Sequence, residues 1–223
     1  PDPLDTDEPR KVADTVSQMG LRYATVTGVA RDDLPDQGAW LYAQTVREIH
    51  ERVPGCGVEV LIPDFSAEPP LLGEVFASEP EVLAHNLETV RRLTPGVRDP
   101  RAGYDRSLEV MRIARSVRPD LLTKSSLMLG LGETEDELLA AMSDLSDCGV
   151  NILTLGQYLQ PTPKHAKVAE FVTPQAFDAY AAIARAKGFL LVAATPLTRS
   201  SYHAGDDFAK MRAAREAQLA KAG

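Results

Sequence analysis

The apolar positions along the chain follow two periods in turn. Short runs rich in β-branched residues are each followed by a longer stretch in which apolar residues recur every three or four positions, as on one face of a helix. This alternation is typical of βα units that build a parallel sheet. The predicted strands are residues 23–29, 58–63, 82–87, 121–129, 152–159 and 189–193.

Helix start signals lie between the predicted strands. Thr134 followed by Glu137 has the spacing of a capping box, and Thr173 followed by Pro174 combines an N-cap residue with proline at the first helical position. Asp36 is placed to cap the second helix. The proline-rich residues 63–70 favour turns. The predicted helices are residues 8–19, 38–53, 105–117, 134–147, 173–187 and 208–222.

Six βα units predict an open or partial barrel, because right-handed crossovers roll such units up but six strands do not close an eight-stranded ring. In this architecture the functional side chains lie at the carboxyl ends of the strands. We expect one α/β barrel domain over residues 1–204 and a helical tail over residues 205–223.

Composition narrows the class of protein. The 223 residues are 44% hydrophobic, enough for one domain with a core, and the net charge of −8 argues against a nucleic-acid partner or a membrane surface. No apolar run reaches the length of a membrane span. The two cysteines, Cys56 and Cys148, lie far apart and form no C-x-x-C pair, which indicates a reducing compartment. We therefore expect a cytoplasmic protein.

Charged residues inside apolar strands are candidates for chemistry. Lys124 and Glu88 would be costly to bury unless each is paired or faces a polar lumen. A buried structural ion pair is one alternative. Lys124 could also be the Schiff-base lysine of a different barrel enzyme, although residues 192–196 offer no glycine-rich phosphate loop. A third alternative is a non-catalytic barrel that binds a partner.

Six short segments of the chain stand out: residues 27–36, 61–65, 85–90, 123–134, 157–161 and 199–204, the last of which reads Arg-Ser-Ser-Tyr-His-Ala. In this order they resemble the motifs of lipoyl synthases, which are radical S-adenosylmethionine enzymes. Each segment alone is weak evidence for the family, but six in the family's order are specific evidence, and the resemblance covers residues 7–204.

The resemblance implies a fold, an activity and cofactors. Lipoyl synthases have a partial (βα)6 TIM-like barrel and insert two sulfur atoms at carbons 6 and 8 of an octanoyl chain held on a carrier-protein lysine. One 4Fe-4S cluster reduces S-adenosylmethionine, and a second, auxiliary cluster is dismantled to supply the sulfur. Their C-x3-C-x2-C and C-x4-C-x5-C motifs precede the matched region. The resemblance therefore implies a fragment that lacks these motifs and the first strand, and that is inactive alone.

The resemblance also implies binding roles for S-adenosylmethionine. The Thr27-Gly28 backbone would accept from the amino group, and Lys124 would hold the carboxylate. Asn86 and Glu88 would hold the ribose hydroxyls. The remaining candidates lie near the adenine: Ser126, which replaces the first glycine of a motif ending at Glu133, and Gln157 and Tyr158, the last with core packing as its alternative.

The arginine-serine-serine-tyrosine segment would supply a serine ligand to the auxiliary cluster. By position in the motif the ligand is Ser201, with Ser200 as the close alternative. A serine oxygen is a harder ligand than a thiolate, so an iron held in this way is a plausible place for the cluster to open. Capping of a turn or helix is the structural alternative for both serines.

The implied partners are protein substrates and electron donors. They are an octanoylated lipoyl carrier domain or glycine cleavage H protein, and a ferredoxin or flavodoxin. Residues 91–106 contain five arginines against two aspartates in an otherwise acidic chain. This basic patch could steer an acidic carrier domain, and a solvated loop and helix start is the alternative.

Overall fold

The computed structural model describes residues 3–199, in which helices alternate with six parallel strands. The strands follow the order β1-β2-β3-β4-β5-β6 in the sheet, which confirms the predicted α/β class and all six predicted strands. The elements are α1 Glu8–Gln18, β1 Tyr23–Thr27, α2 Ala39–Arg52, β2 Gly57–Leu61, a 3-10 turn Phe65–Ala67, α3 Pro69–Phe76, β3 Val82–Ala84, α4 Thr94–Val97, α5 Tyr104–Val117, β4 Leu122–Leu129, α6 Glu135–Asp147, β5 Ile152–Gln157, α7 Pro174–Ala186 and β6 Leu191–Ala194.

The described residues form two compact units. The first unit consists of residues 3–84 and Ile113–Leu122. In it β1, β2 and β3 pair in parallel, and helix α2 packs against α1 and α3. Val58 and Val60 on β2 are fully buried, as is Glu59 between them. Burial of successive residues is expected where a parallel sheet is covered on both faces.

The second unit consists of His85–Arg112 and residues 123–199. Strands β4, β5 and β6 pair in parallel, with Leu127 opposite Leu155. Leu127 and Leu129 belong to a hydrophobic core that also contains residues of α6 and α7. Because side chains alternate along a strand, Ser126 and Met128 lie on the opposite face of β4. The polar Lys124 shares that face with Ser126, while Thr123 and Ser125 lie on the face of Leu127 and Leu129.

Capping side chains fix where three of the helices begin. Thr134 accepts from the Glu137 N–H at 3.3 Å, and the Glu137 carboxylate accepts from the Thr134 N–H at 2.9 Å, so the predicted capping box is confirmed. The Thr173 hydroxyl caps α7. Asp36 accepts from the Gly38 and Trp40 N–H groups and fixes the start of α2.

Helix α3 was not predicted. The 3-10 turn Phe65–Ala67 agrees with the turns expected over residues 63–70, but α3 already begins at Pro69. Pro69 and Pro70 occupy the first positions of α3, where a missing N–H costs nothing. The predicted helix over residues 208–222 and the domain boundary at 204 lie outside the described residues. Among the helices described, none combines the length and apolarity needed to cross a membrane.

A histidine–glutamate pair in the first unit predicts a pH-dependent stability. His50 Nε2 lies 3.4 Å from a Glu81 carboxylate oxygen. The Glu81 hydrogen bond raises the pKa of His50 above its usual 6.5. Burial raises the pKa of Glu81, but bonds from His50 and the Val58 N–H outweigh it and leave that pKa below 4.5.

We expect His50→Gln to lower stability mainly between about pH 4.5 and pH 6.5. The raised histidine pKa gives stabilisation that is complete below 6.5 and is lost as the pH rises through the folded-state value. The lowered Glu81 pKa gives stabilisation that is lost as the pH falls. For a partly exposed pair the loss should be roughly 0.2–1 kcal/mol. Urea midpoints at pH 5.5 and pH 8 measure it, with exposed His165→Gln as the control. Equal losses at both pH values would contradict the assignment.

Candidate functional site

A strained turn in the second unit carries two of the predicted site residues. Glu88 has a backbone φ of 69°, which is rare for a residue other than glycine. The Thr89 N–H donates to the Leu87 carbonyl at 2.9 Å, so Glu88 is the central residue of a γ-turn of the strained kind. Its own N–H donates to Ser126 O at 2.9 Å, and its carbonyl accepts from the Met128 N–H at 2.8 Å. Strand β4 therefore fixes this turn.

The side chains of this turn line a cavity of about 270 Å³. The Asn86 Nδ2 donates to the Glu88 Oε1 at 3.0 Å. The Asn86 Oδ1 is buried and has no hydrogen-bond partner among residues 3–199. A buried, unpaired acceptor costs free energy unless a ligand or water satisfies it. The other residues lining the cavity are Ser126, Leu127, Met128, Gly156, Gln157, Leu159, Thr198 and Arg199.

The protonation of Glu88 is shifted by its surroundings. Burial raises the pKa of the Glu88 carboxyl, while the Asn86 hydrogen bond and the positive charge of Arg98 partly offset that rise. A carboxyl with a raised pKa in a concave site is a marker of function. The cavity thus holds a carboxyl group and a free amide oxygen, both of which can accept hydrogen bonds from hydroxyl or amino groups.

Lys124 and Ser126 lie on the same face of β4. Lys124 is 4% exposed and is not among the residues that line the cavity, whereas Ser126 is 9% exposed and lines it. The structure therefore brings together Asn86, Glu88 and Ser126, and places Lys124 one pleat repeat before Ser126 on the same strand.

Glu133 and Gln157 hold backbone segments beside the cavity. The Glu133 carboxylate accepts from the N–H groups of Gly130 and Leu131 at 2.6 and 2.9 Å. The Gln157 amide donates to Glu170 O at 3.0 Å, and its oxygen accepts from the Val172 N–H at 2.9 Å. Gln157 thus lines the cavity while its amide fixes the loop of residues 158–172.

Tyr158 lies outside the cavity, in the packed environment that was the structural alternative to adenine binding. It is 5% exposed, its hydroxyl donates to Ala166 O at 2.8 Å, and it is not among the residues that line the cavity. The side chain therefore packs with a satisfied hydroxyl.

Thr27 and Gly28 line a separate cavity within the first unit, of about 110 Å³. A Cβ added at Gly28 would lie 2.9 Å from the Tyr42 hydroxyl oxygen, so a larger residue would not fit without a shift. Burial raises the pKa of Tyr42 to about 12, although the nearby Gly28 backbone acts in the opposite direction. Gly28 thus keeps its backbone against a buried, neutral tyrosine.

The described residues offer no metal centre. Cys56 and Cys148 are buried thiols, and burial raises the pKa of each. Within residues 3–199 no group of histidine, cysteine or carboxylate side chains could hold a metal ion. The predicted ligands Ser200 and Ser201 lie outside the described residues.

The basic patch of residues 91–106 is largely paired. Arg91 contacts Asp105 at 2.6 Å and stacks 4.2 Å from the centre of the Tyr104 ring. Arg92 pairs with an acid outside the patch, because its Nε lies 2.6 Å from a carboxylate oxygen of Glu137. Arg101 pairs with Asp99 at 2.9 Å. Arg91 and Arg101 thus pair with the two aspartates of the patch itself, Arg92 pairs with an acid outside it, and the docking role stays a prediction.

Sequence reasoning assigned Arg98 only to this patch. In the structure it is half-buried, and its Nη1 donates to the Ser107 hydroxyl at 2.8 Å and to Leu87 O at 3.5 Å. The His85 Nε2 lies 2.9 Å from the same hydroxyl. Ser107 was not singled out, because an isolated serine on a helix carries no sequence signal.

Comparison with known proteins decides the family. The sequence profile of the radical SAM superfamily matches residues 1–145. The chain belongs to the radical SAM superfamily. Among solved structures, HydG, a maturase of the [FeFe]-hydrogenase, aligns with a TM-score of 0.65 at 17% identity, covering 86% of this chain and 45% of its own. Methylornithine synthase (PylB) aligns with a TM-score of 0.63 at 13% identity, covering 88% and 64%. At these identities the likeness shows the fold alone.

Curated relatives of this radical SAM protein have much higher identity. The lipoyl synthase of Acidothermus cellulolyticus is 58% identical over 205 residues, covering 92% of this chain and 62% of its own length. The lipoyl synthase of Thermus thermophilus is 58% identical over 201 residues, covering 90% and 62%. The predicted resemblance is confirmed. The chain spans about three-fifths of the length of these relatives.

Proposed function

We propose that this chain forms the S-adenosylmethionine-binding barrel of a lipoyl synthase. Such an enzyme inserts two sulfur atoms at carbons 6 and 8 of an octanoyl chain on a carrier-protein lysine. The observation that carries the proposal is the 58% identity over 205 residues to proteins named lipoyl synthase. Membership of the radical SAM superfamily supports it over the alternatives of a Schiff-base enzyme and a non-catalytic barrel.

The cavity of the second unit fits the nucleoside part of S-adenosylmethionine. The Glu88 carboxylate and the unpaired Asn86 Oδ1 are acceptors that match the two hydroxyl donors of a ribose. Ser126 lies on the same cavity wall. S-adenosylmethionine, once bound and reduced, would supply a radical that abstracts hydrogen from the octanoyl chain. In the proposed site these residues bind and orient the nucleoside.

The other proposed contacts of S-adenosylmethionine follow from the family motifs. The Thr27-Gly28 backbone would receive the amino group, and Lys124 would hold the carboxylate by a charge-assisted bond. Gln157 would fix the loop that borders the adenine, through its bonds to Glu170 O and the Val172 N–H. The same proposal gives the enzyme an octanoylated carrier domain or H protein as substrate and a ferredoxin or flavodoxin as electron donor.

The iron–sulfur clusters do not fit the residues described. A four-iron cluster is usually held by cysteine thiolates, and this chain has two cysteines, both buried with raised pKa values. Cysteine ligands for two clusters would have to come from outside these 223 residues. From this chain we propose only Ser201, or Ser200, as a ligand of the auxiliary cluster.

We expect Ser201→Ala, in enzyme that carries both clusters, to abolish lipoyl formation and to spare 5′-deoxyadenosine formation. The substitution removes a ligand of the sulfur-donating cluster and leaves the radical-generating cluster intact. Mass spectrometry of an octanoylated carrier domain and of the small molecules measures both products, with Ser200→Ala as the matched control. If only Ser200→Ala fails, the ligand is Ser200. If the unsubstituted enzyme forms 5′-deoxyadenosine but no lipoyl product, the proposed function is wrong.

A further inference from the structure

The turn at Glu88 stores strain that other residues must balance. A residue other than glycine in this region of φ is strained and persists only where the surroundings over-determine it. Strand β4 bonds both backbone groups of Glu88. The preceding peptide is also held, since the Leu87 N–H donates to the Ser125 hydroxyl at 3.1 Å. The Leu87 carbonyl remains as the atom through which the turn could relax.

Arg98 reaches that carbonyl from outside the cavity. Its Nη1 lies 3.5 Å from Leu87 O and donates to the Ser107 hydroxyl at 2.8 Å. The same hydroxyl lies 2.9 Å from His85 Nε2, and His85 begins the segment that leads into the turn. Ser107 is 2% exposed and His85 is 4% exposed, so little water competes for these bonds. These three side chains thus connect helix α5 and the loop after α4 to the backbone that leads into the turn.

We infer that Arg98 and Ser107 are positioning residues, which together with His85 hold the strained turn so that Asn86 and Glu88 point into the cavity. None of the three lines the cavity, so they act through the turn. The inference rests on the proposed function only in taking a nucleoside as the occupant of the cavity. We call these contacts of Arg98, Ser107 and His85 with the turn the clamp, and the clamp is a property of the ligand-free protein.

The charge of Arg98 gives the clamp a second effect. Burial raises the pKa of the Glu88 carboxyl and the positive charge of Arg98 opposes that rise. Arg199 lines the same cavity, Lys124 lies on the same face of β4 as Ser126, and β5 contributes the uncharged Gly156 and Gln157 to the cavity. Removing only Arg98 should raise the Glu88 pKa further. As the pH falls, the carboxylate would then become protonated, and stop accepting hydrogen bonds from the ribose hydroxyls as a charged group, at a higher pH than in the unsubstituted protein.

Three variants and one control test the clamp in the full protein. Arg98→Met removes both charge and bonds, Arg98→Lys keeps the charge, and Ser107→Ala removes the bridging hydroxyl. Arg112→Met is the matched control, because it removes the same charge from an exposed ion pair with Glu109 in the same unit. Amide hydrogen exchange, ¹³C NMR titration of the Glu88 carboxyl and the Kd for S-adenosylmethionine between pH 5 and pH 8 are measured for each protein.

We expect the Thr89 amide, which bonds to Leu87 O, to exchange roughly tenfold faster in Arg98→Met and Ser107→Ala, the size of one lost hydrogen bond to a charged group. The Glu88 titration and the acid limb of binding should move to higher pH in Arg98→Met, but not in Arg98→Lys or Arg112→Met. Ser107→Ala removes a single atom, so it tests the clamp if Arg98→Met fails to fold. Thr89 exchange equal to the control in Ser107→Ala, or an unmoved Glu88 titration in a folded Arg98→Met, overturns the inference. If the unsubstituted protein binds no S-adenosylmethionine while Thr89 responds, the proposed function fails and the clamp stands.

Discussion

Replacing Gly130 by alanine is expected to give a large loss of stability in the second unit. Gly130 has a φ of 91°, and a Cβ at this position would overlap Glu170 O and the Gln157 Nε2. The left-handed backbone costs a residue with a Cβ about 1–2 kcal/mol, and breaking the buried Gln157–Glu170 bond adds about 1–3 kcal/mol. We therefore expect a loss of roughly 2–5 kcal/mol.

A variant at a second glycine distinguishes the backbone cost from the cost of breaking the Gln157–Glu170 hydrogen bond. Gly188 has a φ of 101°, but a Cβ there would meet nothing within 4 Å. Gly188→Ala should therefore show the backbone cost alone. Urea denaturation of both variants measures the difference, which is the cost of displacing the loop that Gln157 fixes. Equal losses in the two variants would show that this loop moves aside freely and that Gly130 is needed only for its backbone conformation.

The strands β2, β3, β4 and β5 were predictable because almost all of their residues are buried. A parallel sheet covered on two sides requires unbroken apolar, β-branched runs, and such runs are visible without knowledge of the fold. The capping box at Thr134 was equally clear, since both of its partners lie within one turn. Pro69 and Pro70 misled the prediction because proline both ends and begins helices, and the choice between the two depends on the residues beyond it in the chain.

The candidate site was predictable only in part. Asn86 and Glu88 follow strand β3 and Ser126 lies within β4, and the structure brings them to one cavity. The role of the Gln157 amide depends on Glu170, thirteen positions away, which no local pattern reveals. The pairing of Arg92 with Glu137, 45 positions along the chain, is likewise invisible to any local pattern. Contacts between distant segments decide which charges are free.

The turn at Glu88 shows what local sequence cannot specify. Glutamate has no preference for positive φ, so nothing in the residues around it indicates a γ-turn there. Contacts with β4, with Ser125 and with Arg98 impose that conformation together. Strain of this kind collects at functional sites, where the surroundings hold a side chain in a direction that it would not otherwise take.

Replacing Glu88 by glutamine is expected to weaken binding of S-adenosylmethionine strongly at a pH above the raised pKa of the Glu88 carboxyl. Glutamine keeps the shape of the side chain and an oxygen for the Asn86 Nδ2, which lies 3.0 Å from the carboxylate, so the turn should persist. The loss is then that of hydrogen bonds from the ribose hydroxyls to a charged acceptor, about 1.5–3 kcal/mol. This corresponds to a Kd roughly 10- to 100-fold higher.

The pH dependence of binding distinguishes this role from simple damage to the fold. Burial raises the pKa of Glu88, so in the unsubstituted protein affinity should fall as the pH drops through that raised value. Glu88→Gln has no group to protonate, so its weaker binding should stay flat over the same range. Calorimetric titration between pH 5 and pH 8 measures both, with Glu135→Gln, an exposed carboxyl of α6, as the control. An acid limb that survives in Glu88→Gln would assign the titration to another group and leave Glu88 without a binding role.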